Sequence, residues 1–438
     1  MSRYYPVIGL EVHIELATES KMFCTCPASH FAKNPNTQTC PVCLGLPGAM
    51  PYPNIEAIKR TIKLGLALGS TINEHFKFDR KHYFYPDLPK GYQISQYDFP
   101  ICKGGAWQNS QGKTFRLRRI HLEEDTAKLL HEGEVSLLDY NRSGVPLVEL
   151  VTEPDFDNVA DVVEFLKELQ EIVRALGIST ADMEKGSMRL EANLSLKKNP
   201  ADPLPDYKVE LKNINSFRFL AAALGYELKR QSEVLDAGDK LTPETRGFDQ
   251  TKKVTFSQRV KETENDYRYF PEPDIPVFHT TLEEIRVLKE TLPVLPKETL
   301  GKLLSLGLRA DTASVLSADP VALTFFWTAL QLDTDQQIGP QTWANLIINK
   351  KIDVSQTTPA ETLKNLLINQ NRDYATVEDT QKICQQVVLA NAKAVTDYQN
   401  GKVQILGYLI GLVQKELKGT GKIELISEIL TNLLQKNG

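Results

Sequence analysis

The sequence predicts an α+β fold: an antiparallel-sheet domain carrying a knuckle of clustered cysteines, then an all-α helical domain, then a small all-α tail domain. Three observations predict it. Segments before residue 290 alternate apolar and polar side chains with period two, as strands do. Cys24, Cys26, Cys40 and Cys43 lie within 20 residues of one another in a chain with six cysteines. Near residue 290 the composition shifts from Gly, Pro, Tyr and Phe to Leu, Gln, Lys and Asn, and apolar spacing becomes helical.

The elements follow in order. Residues 9–16 place Leu10, Val12, Ile14 and Leu16 on one face and Glu11, His13 and Glu15 on the other. Residues 53–68 carry Ile55, Ile58, Ile62 and Leu66 at helical spacing. Residues 118–124 return to alternation, with His121 and Glu123 opposite Ile120 and Leu122. Residues 158–176 form a helix stopped by Gly177, which suits a left-handed C-terminal residue. Residues 187–196 set Met188, Leu190, Ala192, Leu194 and Leu196 against Arg189, Glu191 and Asn193, and residues 209–213 repeat the alternation. These strands are expected to be antiparallel, covered on one face and polar on the other. Helices are then expected over 283–292, 300–306, 321–332, 341–348, 360–369, 405–417 and 423–434, with a boundary near residue 375.

The chain of 438 residues has 41% hydrophobic and 24% charged residues, which is ordinary globular chemistry. No apolar run approaches the roughly 18 residues a membrane span needs. The first residues show neither a signal core nor a transit segment, so a cytoplasmic protein is expected. A net charge of −5 excludes a protein that coats nucleic acid by bulk positive charge. Any nucleic acid must be held by a local patch or by shape.

Cys24-x-Cys26 and Cys40-x-x-Cys43, separated by 13 residues, can supply four thiolates to a tetrahedral Zn²⁺. Four ligands leave no open position, so the role is structural. Two disulfides or four unrelated thiols are the alternative, but clustering in a Cys-poor chain favours metal in a reducing compartment. Cys102 and Cys384 stand alone and read as small core residues.

Glu11, His13, Glu15, His121, Glu123, Glu124, Asp125, Glu191 and Glu210 all lie on or beside strand-like segments. A sheet face with that many carboxylates is costly unless cations occupy it, and hard divalent cations take oxygen ligands and clamp phosphates. A solvated acidic face is the plainer alternative. No phosphate-binding G-x-x-x-x-G-K-[ST] loop and no G-x-G-x-x-G turn is present. The loop over residues 80–96 and the stretch over 265–274 mix aromatics and charges that could frame one nucleotide pocket by stacking and phosphate contact.

Together these segments closely resemble the B-subunit family of the glutamyl/aspartyl-tRNA amidotransferases. The likeness runs through Gly9-Leu10-Glu11-Val12-His13, Cys40-Pro41-Val42-Cys43-Leu44-Gly45, Tyr83-Phe84-Tyr85-Pro86-Asp87-Leu88-Pro89-Lys90-Gly91, His121-Leu122-Glu123-Glu124-Asp125, Glu210-Leu211-Lys212-Asn213 and Asp266-Tyr267-Arg268-Tyr269-Phe270-Pro271. Where the family usually has Cys-Asp before Ala-Asn, this chain has Leu190-Glu191, which lengthens the carboxylate's reach.

The resemblance implies a cradle domain over 1–291, a helical linker over 292–375 and a tRNA-contacting tail over 376–438. It implies ATP-dependent phosphorylation of the side-chain carboxylate of Glu-tRNA(Gln) or Asp-tRNA(Asn), then amidation by ammonia from a glutaminase partner, the A subunit. A small C subunit completes a heterotrimer. Neither DNA nor a membrane is an expected partner. Glu11, His13, Glu124 and Glu210 are the expected Mg²⁺ ligands and catalytic groups, with Lys90 meeting a phosphate. Glu123, Glu191, Tyr83 and Arg268 are the expected contacts to ATP and its metal, and Cys24, Cys26, Cys40 and Cys43 the zinc ligands. From residue 380 to 438 there are seven Lys and four acidic residues, a surplus of +3 that fits a phosphate-contacting patch.

Overall fold

The computed structural model describes residues 3–260, 267–335, 337–370, 374–399 and 401–436. It divides into two units, Met1–Thr299 and Leu300–Gly438.

The first unit is built on a ten-stranded sheet. Its spine runs Val254–Val260, Glu244–Asp249, Val209–Ile214, Met188–Lys197, Tyr5–Glu15, Pro146–Thr152 and Thr114–Glu124, then two short edge strands. All four expected strands lie in it, and their pairings with one another are antiparallel. One pairing departs from expectation: Val209–Ile214 and Glu244–Asp249 run parallel. Parallel neighbours need a crossover, and the helix Phe217–Asp236, which the spacing does not predict, supplies it.

Alternation sends Leu10, Val12 and Ile14 into a core where each is at most 1% exposed. Helices Ile55–Ala67, Val159–Ala175 and Phe217–Asp236 contribute buried side chains to the same core. Each begins where a side chain takes orphan backbone N–H groups: Asn54 accepts from Glu56 and Ala57, Asn158 from Asp161, and Ser216 from Phe219. Such a cap stabilises its helix by about 1 kcal/mol. Gly177, with φ +65°, ends the second helix as its position suggests. Cys102 is fully buried in this core.

The second unit is helical and holds two separate apolar clusters. One gathers around Phe326 and Trp343, and the other around Cys384, Leu409, Val413, Ile426 and Leu430. Pro320 and Pro340 open their helices at the first turn, where a missing N–H costs nothing. Trp343 donates its indole N–H to Asp333 at 3.2 Å, so the buried ring leaves no polar atom unpaired. Among the described residues no single helix is long and apolar enough to cross a membrane.

Candidate active site and cysteine cluster

The sheet's polar face is assembled by register. His13 stands between Arg189 on one neighbouring strand and Glu149 on the other, Glu11 stands beside Glu191, and Glu149 stands opposite His121. The result is two adjoining groups whose ligand atoms lie within 4.8 Å of one another: His13, Glu123 and Glu149, and Glu11, Glu191 and Glu210.

In the first group Glu149 Oε2 lies 3.4 Å from His13 Nε2 and 3.3 Å from His121 Nε2. Glu123 Oε1 lies 3.7 Å from His13, and Ser95 Oγ donates to Glu123 Oε2 at 2.9 Å. Burial alone would lower the His13 pKa, but the hydrogen bond and charge of Glu149, with Glu191 and Glu123 behind it, push it up to about 9. The same burial would raise Glu149, yet the charge and hydrogen bonds of His121 and His13 hold it well below the usual carboxylate range. This mixed nitrogen and oxygen set suits a divalent cation.

In the second group burial, then repulsion from Glu149, Glu191 and Glu210, raises the Glu11 pKa. Such mutual repulsion is what a cation relieves, and an all-carboxylate set suits Mg²⁺. The outer oxygens are fixed by neutral donors, Asn193 Nδ2 on Glu11 at 3.0 Å and Thr245 Oγ1 on Glu210 at 2.9 Å. Lys212 Nζ bridges Glu191 at 2.8 Å and Glu210 at 3.2 Å. The longer Glu191 side chain therefore stays within the group.

The four residues expected as one Mg²⁺ set are divided. Glu11 and Glu210 sit in one group and His13 in the other. Glu124 follows Glu123 along its strand, so alternation points it to the opposite face. There Glu124 Oε1 accepts from Lys90 Nζ at 2.5 Å and from the Ile94 N–H at 3.0 Å. This pair lines a cavity of about 210 Å³ together with Cys24, Cys43, Tyr92 and Gly144. Lys90 thus meets a carboxylate on that face, away from the two ligand groups.

The aromatic segments do come together. Tyr83 meets Tyr267 edge-on at 6.0 Å, and Tyr269 stacks on Tyr97 at 4.3 Å. Phe270 pairs with Arg80 across two strands, and Arg80 forms a 2.7 Å ion pair with Glu272. Lys81 Nζ lies 4.9 Å from the Tyr267 ring. Burial opposes its charge, but Glu123, Tyr269 and Glu149 push its pKa up, which places this cation against the first ligand group. Arg268 adopts φ +42°, and its carbonyl lies 3.1 Å from His82 Nδ1. Asn265 and Asp266 of that segment lie outside the described residues.

Sequence reasoning omitted Glu149, Lys81 and Lys212 from the site. Glu149 carried a signal: it is the one charged residue in Val145-Pro146-Leu147-Val148-Glu149-Leu150-Val151. A lone carboxylate in so apolar a strand needs a buried partner.

The sulfurs of Cys24, Cys26, Cys40 and Cys43 also lie within 4.8 Å of one another, and none of the six cysteines forms a disulfide. Cys40 and Cys43 sulfurs are 3.9 Å apart. That matches the edge of about 3.8 Å for a tetrahedron with Zn–S near 2.3 Å. The Cys43 thiol is held down to about 4 by a hydrogen bond from Cys24, aided by the Cys40 N–H and the Lys21 charge. The donor set fits a tetrahedral thiolate metal.

Comparison with known proteins gives the family. The family model described as the GatB/GatE catalytic domain matches residues 6–286, and the one described as the GatB domain matches residues 334–434. The B subunit of the aspartyl/glutamyl-tRNA(Asn/Gln) amidotransferase of Thermotoga maritima is 41% identical, covering 99% of both chains. Its counterpart in Pseudothermotoga lettingae is 39% identical over 98% of this chain and 99% of that protein. That of Thermoanaerobacter pseudethanolicus is 38% identical over 99% of this chain and 100% of that one. With relatives this similar along its whole length, the chain belongs to the family of aspartyl/glutamyl-tRNA(Asn/Gln) amidotransferase B subunits.

Proposed function

We propose that the chain is the carboxylate-activating subunit of a cytoplasmic heterotrimeric amidotransferase that makes Gln-tRNA(Gln), Asn-tRNA(Asn) or both, with glutamine as amido donor and ATP as energy source. The observation that carries this reading is the pair of ligand groups side by side on one sheet face, His13, Glu123 and Glu149 next to Glu11, Glu191 and Glu210. Mg²⁺ held by these residues would neutralise nucleotide phosphates.

The substrate carboxylate is already an anion near neutral pH, so it needs positioning more than a general base. One of its oxygens attacks the γ-phosphorus of ATP and ADP leaves. Ammonia nitrogen then attacks the acyl carbon, inorganic phosphate departs, and the amide remains. His121 orients Glu149, Ser95 orients Glu123, and Asn193 and Thr245 orient Glu11 and Glu210. Lys81 and Lys212 bring positive charge to where phosphate oxygens would lie. Tyr83, Tyr267 and Tyr269 offer faces for a base. The Lys90–Glu124 cavity, on the opposite side of the strand, suits the approach of a small polar nucleophile better than a triphosphate.

The four cysteines hold a structural Zn²⁺. The domains are a cradle over 1–291, a helical linker over 292–375 and a tRNA-contacting tail over 376–438, a division supported by the two separate cores of the helical part. The glutaminase partner supplies ammonia, and the small third partner completes the complex.

Glu149→Gln in the assembled complex tests the reading, because it keeps the shape of the side chain and removes its charge. ATP-dependent amidation of mischarged tRNA should fall about 10²-fold or more while glutamine hydrolysis persists. Amidation at the full rate would instead favour a zinc-stabilised tRNA adaptor without catalytic groups of its own.

A further inference from the structure

Lys21 is fully buried, with 0% exposure. Its three ammonium protons have three acceptors: the Gln38 carbonyl at 2.8 Å, the Tyr140 carbonyl at 3.2 Å and Cys43 Sγ at 3.6 Å. Among the described residues it makes no ion pair with a carboxylate. An enclosed ammonium without a counter-charge is strongly disfavoured, and an apolar side chain of similar volume would fill the space without that cost. Of its three acceptors, only the Cys43 sulfur can carry a negative charge.

A metal-loaded cluster supplies the counter-charge that Lys21 lacks. Four thiolates on one divalent ion leave a surplus of negative charge, and a buried cation beside one sulfur reduces it. Lys21 also stands where three segments meet. Its backbone N–H donates to the Cys26 carbonyl at 2.9 Å, and Met22 N–H to the Gly144 carbonyl at 2.7 Å. Gln38 N–H donates to Asn141 Oδ1 at 2.7 Å. The segment holding Tyr140 and Gly144 borders the Lys90–Glu124 cavity.

We infer that Lys21 is the built-in counter-charge of the four-cysteine metal cluster: a positioning residue that strengthens metal retention through Cys43 and clamps the cluster to the wall of the Glu124 cavity. This inference rests on the reading of the cluster as a metal site. A salt link to a thiolate predicts a difference between loaded and stripped states that packing alone does not. With metal bound, removing the ammonium exposes the thiolates to uncompensated charge. With metal stripped that surplus of thiolate charge is absent, so removing the ammonium costs less there.

The test uses the full chain with Lys21→Met and Lys21→Gln, loaded with Zn²⁺ or Co²⁺ or stripped under reducing conditions. Zinc should leave the variants for a chromophoric chelator about tenfold faster or more, the range for loss of a residue that supports a metal ligand. The thiolate-to-cobalt absorption band should shift. Loaded variants should melt below the loaded wild type, by more than stripped variants melt below the stripped wild type. Equal zinc release, or parallel drops in melting temperature in both states, would overturn the role of Lys21. If the wild type takes up no Co²⁺, the metal reading fails and the Lys21 inference with it. If it binds Co²⁺ with a thiolate band and the variants match it, only the inference fails. Lys21→Gln keeps donors for the two carbonyls, so it carries the test if Lys21→Met does not fold.

Discussion

Single atoms decide where each charged group of this site points. Glu149 joins two histidines through one oxygen, and Lys90 reaches Glu124 because of what residue 45 lacks. Gly45 has φ +64°, and a Cβ built there would collide with Lys90 Cγ. Gly48, three residues on, has φ +83° with nothing within 4 Å of the same position. Both substitutions to alanine meet the left-handed backbone penalty of about 1–2 kcal/mol. Only Gly45→Ala must also displace Lys90. Thermal unfolding of the two variants should therefore differ, with Gly45→Ala the less stable by about 1–3 kcal/mol, the usual range for overpacking. Equal melting temperatures would mean that Lys90 moves freely and that its bond to Glu124 is weak.

The helix Phe217–Asp236 shows what an element gains from buried charge and why the sequence hid it. Its inward face consists of Leu220, Ala223, Leu224, Glu227 and Gln231, so two polar residues interrupt the apolar period that marks a helix. They are buried because partners surround them: Tyr207 donates to Gln231, and Glu227 meets groups from the following two strands and from the helix itself. Arg246 from Glu244–Asp249 and Arg230 both pair with Glu227, at 3.0 and 2.8 Å, and Thr255 donates its hydroxyl to the same carboxylate. Burial would raise the Glu227 pKa, but the hydrogen bonds from Arg230 and Thr255 hold it below the ordinary value. A carboxylate depressed by folding stabilises above its unfolded pKa, and that contribution is lost as pH falls through the folded value. Glu227→Gln should thus lower the unfolding free energy near pH 7 by about 3 kcal/mol, as when one partner of a buried pair is removed. The difference should shrink as pH drops below about 4.5. Denaturant melts at pH 7 and pH 3.5 check this, and a pH-independent difference would contradict it. The four strands over 9–16, 118–124, 187–196 and 209–213 were legible because their polar and apolar faces alternate without interruption, whereas Pro146–Thr152, apolar on both faces but for Glu149 and the final Thr152, was not. The division of Glu123 from Glu124 lay in the alternation of their own strand, whereas the choice of Glu149 followed from register between strands distant in sequence, which one strand's pattern does not carry.

Across the whole molecule charge is sorted by task. The chain carries −5 overall, yet residues 380–438 carry +3, so the remainder carries −8. Part of that acidity forms the two ligand groups, where Lys81 and Lys212 partly offset it. Charges farther apart than about 8–10 Å are screened at physiological salt, so acidic residues elsewhere do not cancel a basic patch. The densest part of that patch is the turn between helices Ile405–Glu416 and Ile423–Lys436, where Lys415, Lys418 and Lys422 are exposed. Lysines that meet phosphates set affinity without reading sequence. Replacing the three lysines with alanine in the assembled complex should weaken binding of mischarged tRNA and leave kcat at saturating tRNA nearly unchanged. The log–log dependence of affinity on salt should flatten by about one for each lysine that meets a phosphate. An unaltered salt slope would move the tRNA contact off this turn. A fall in kcat at unchanged affinity would tie the tail to the chemistry on the sheet.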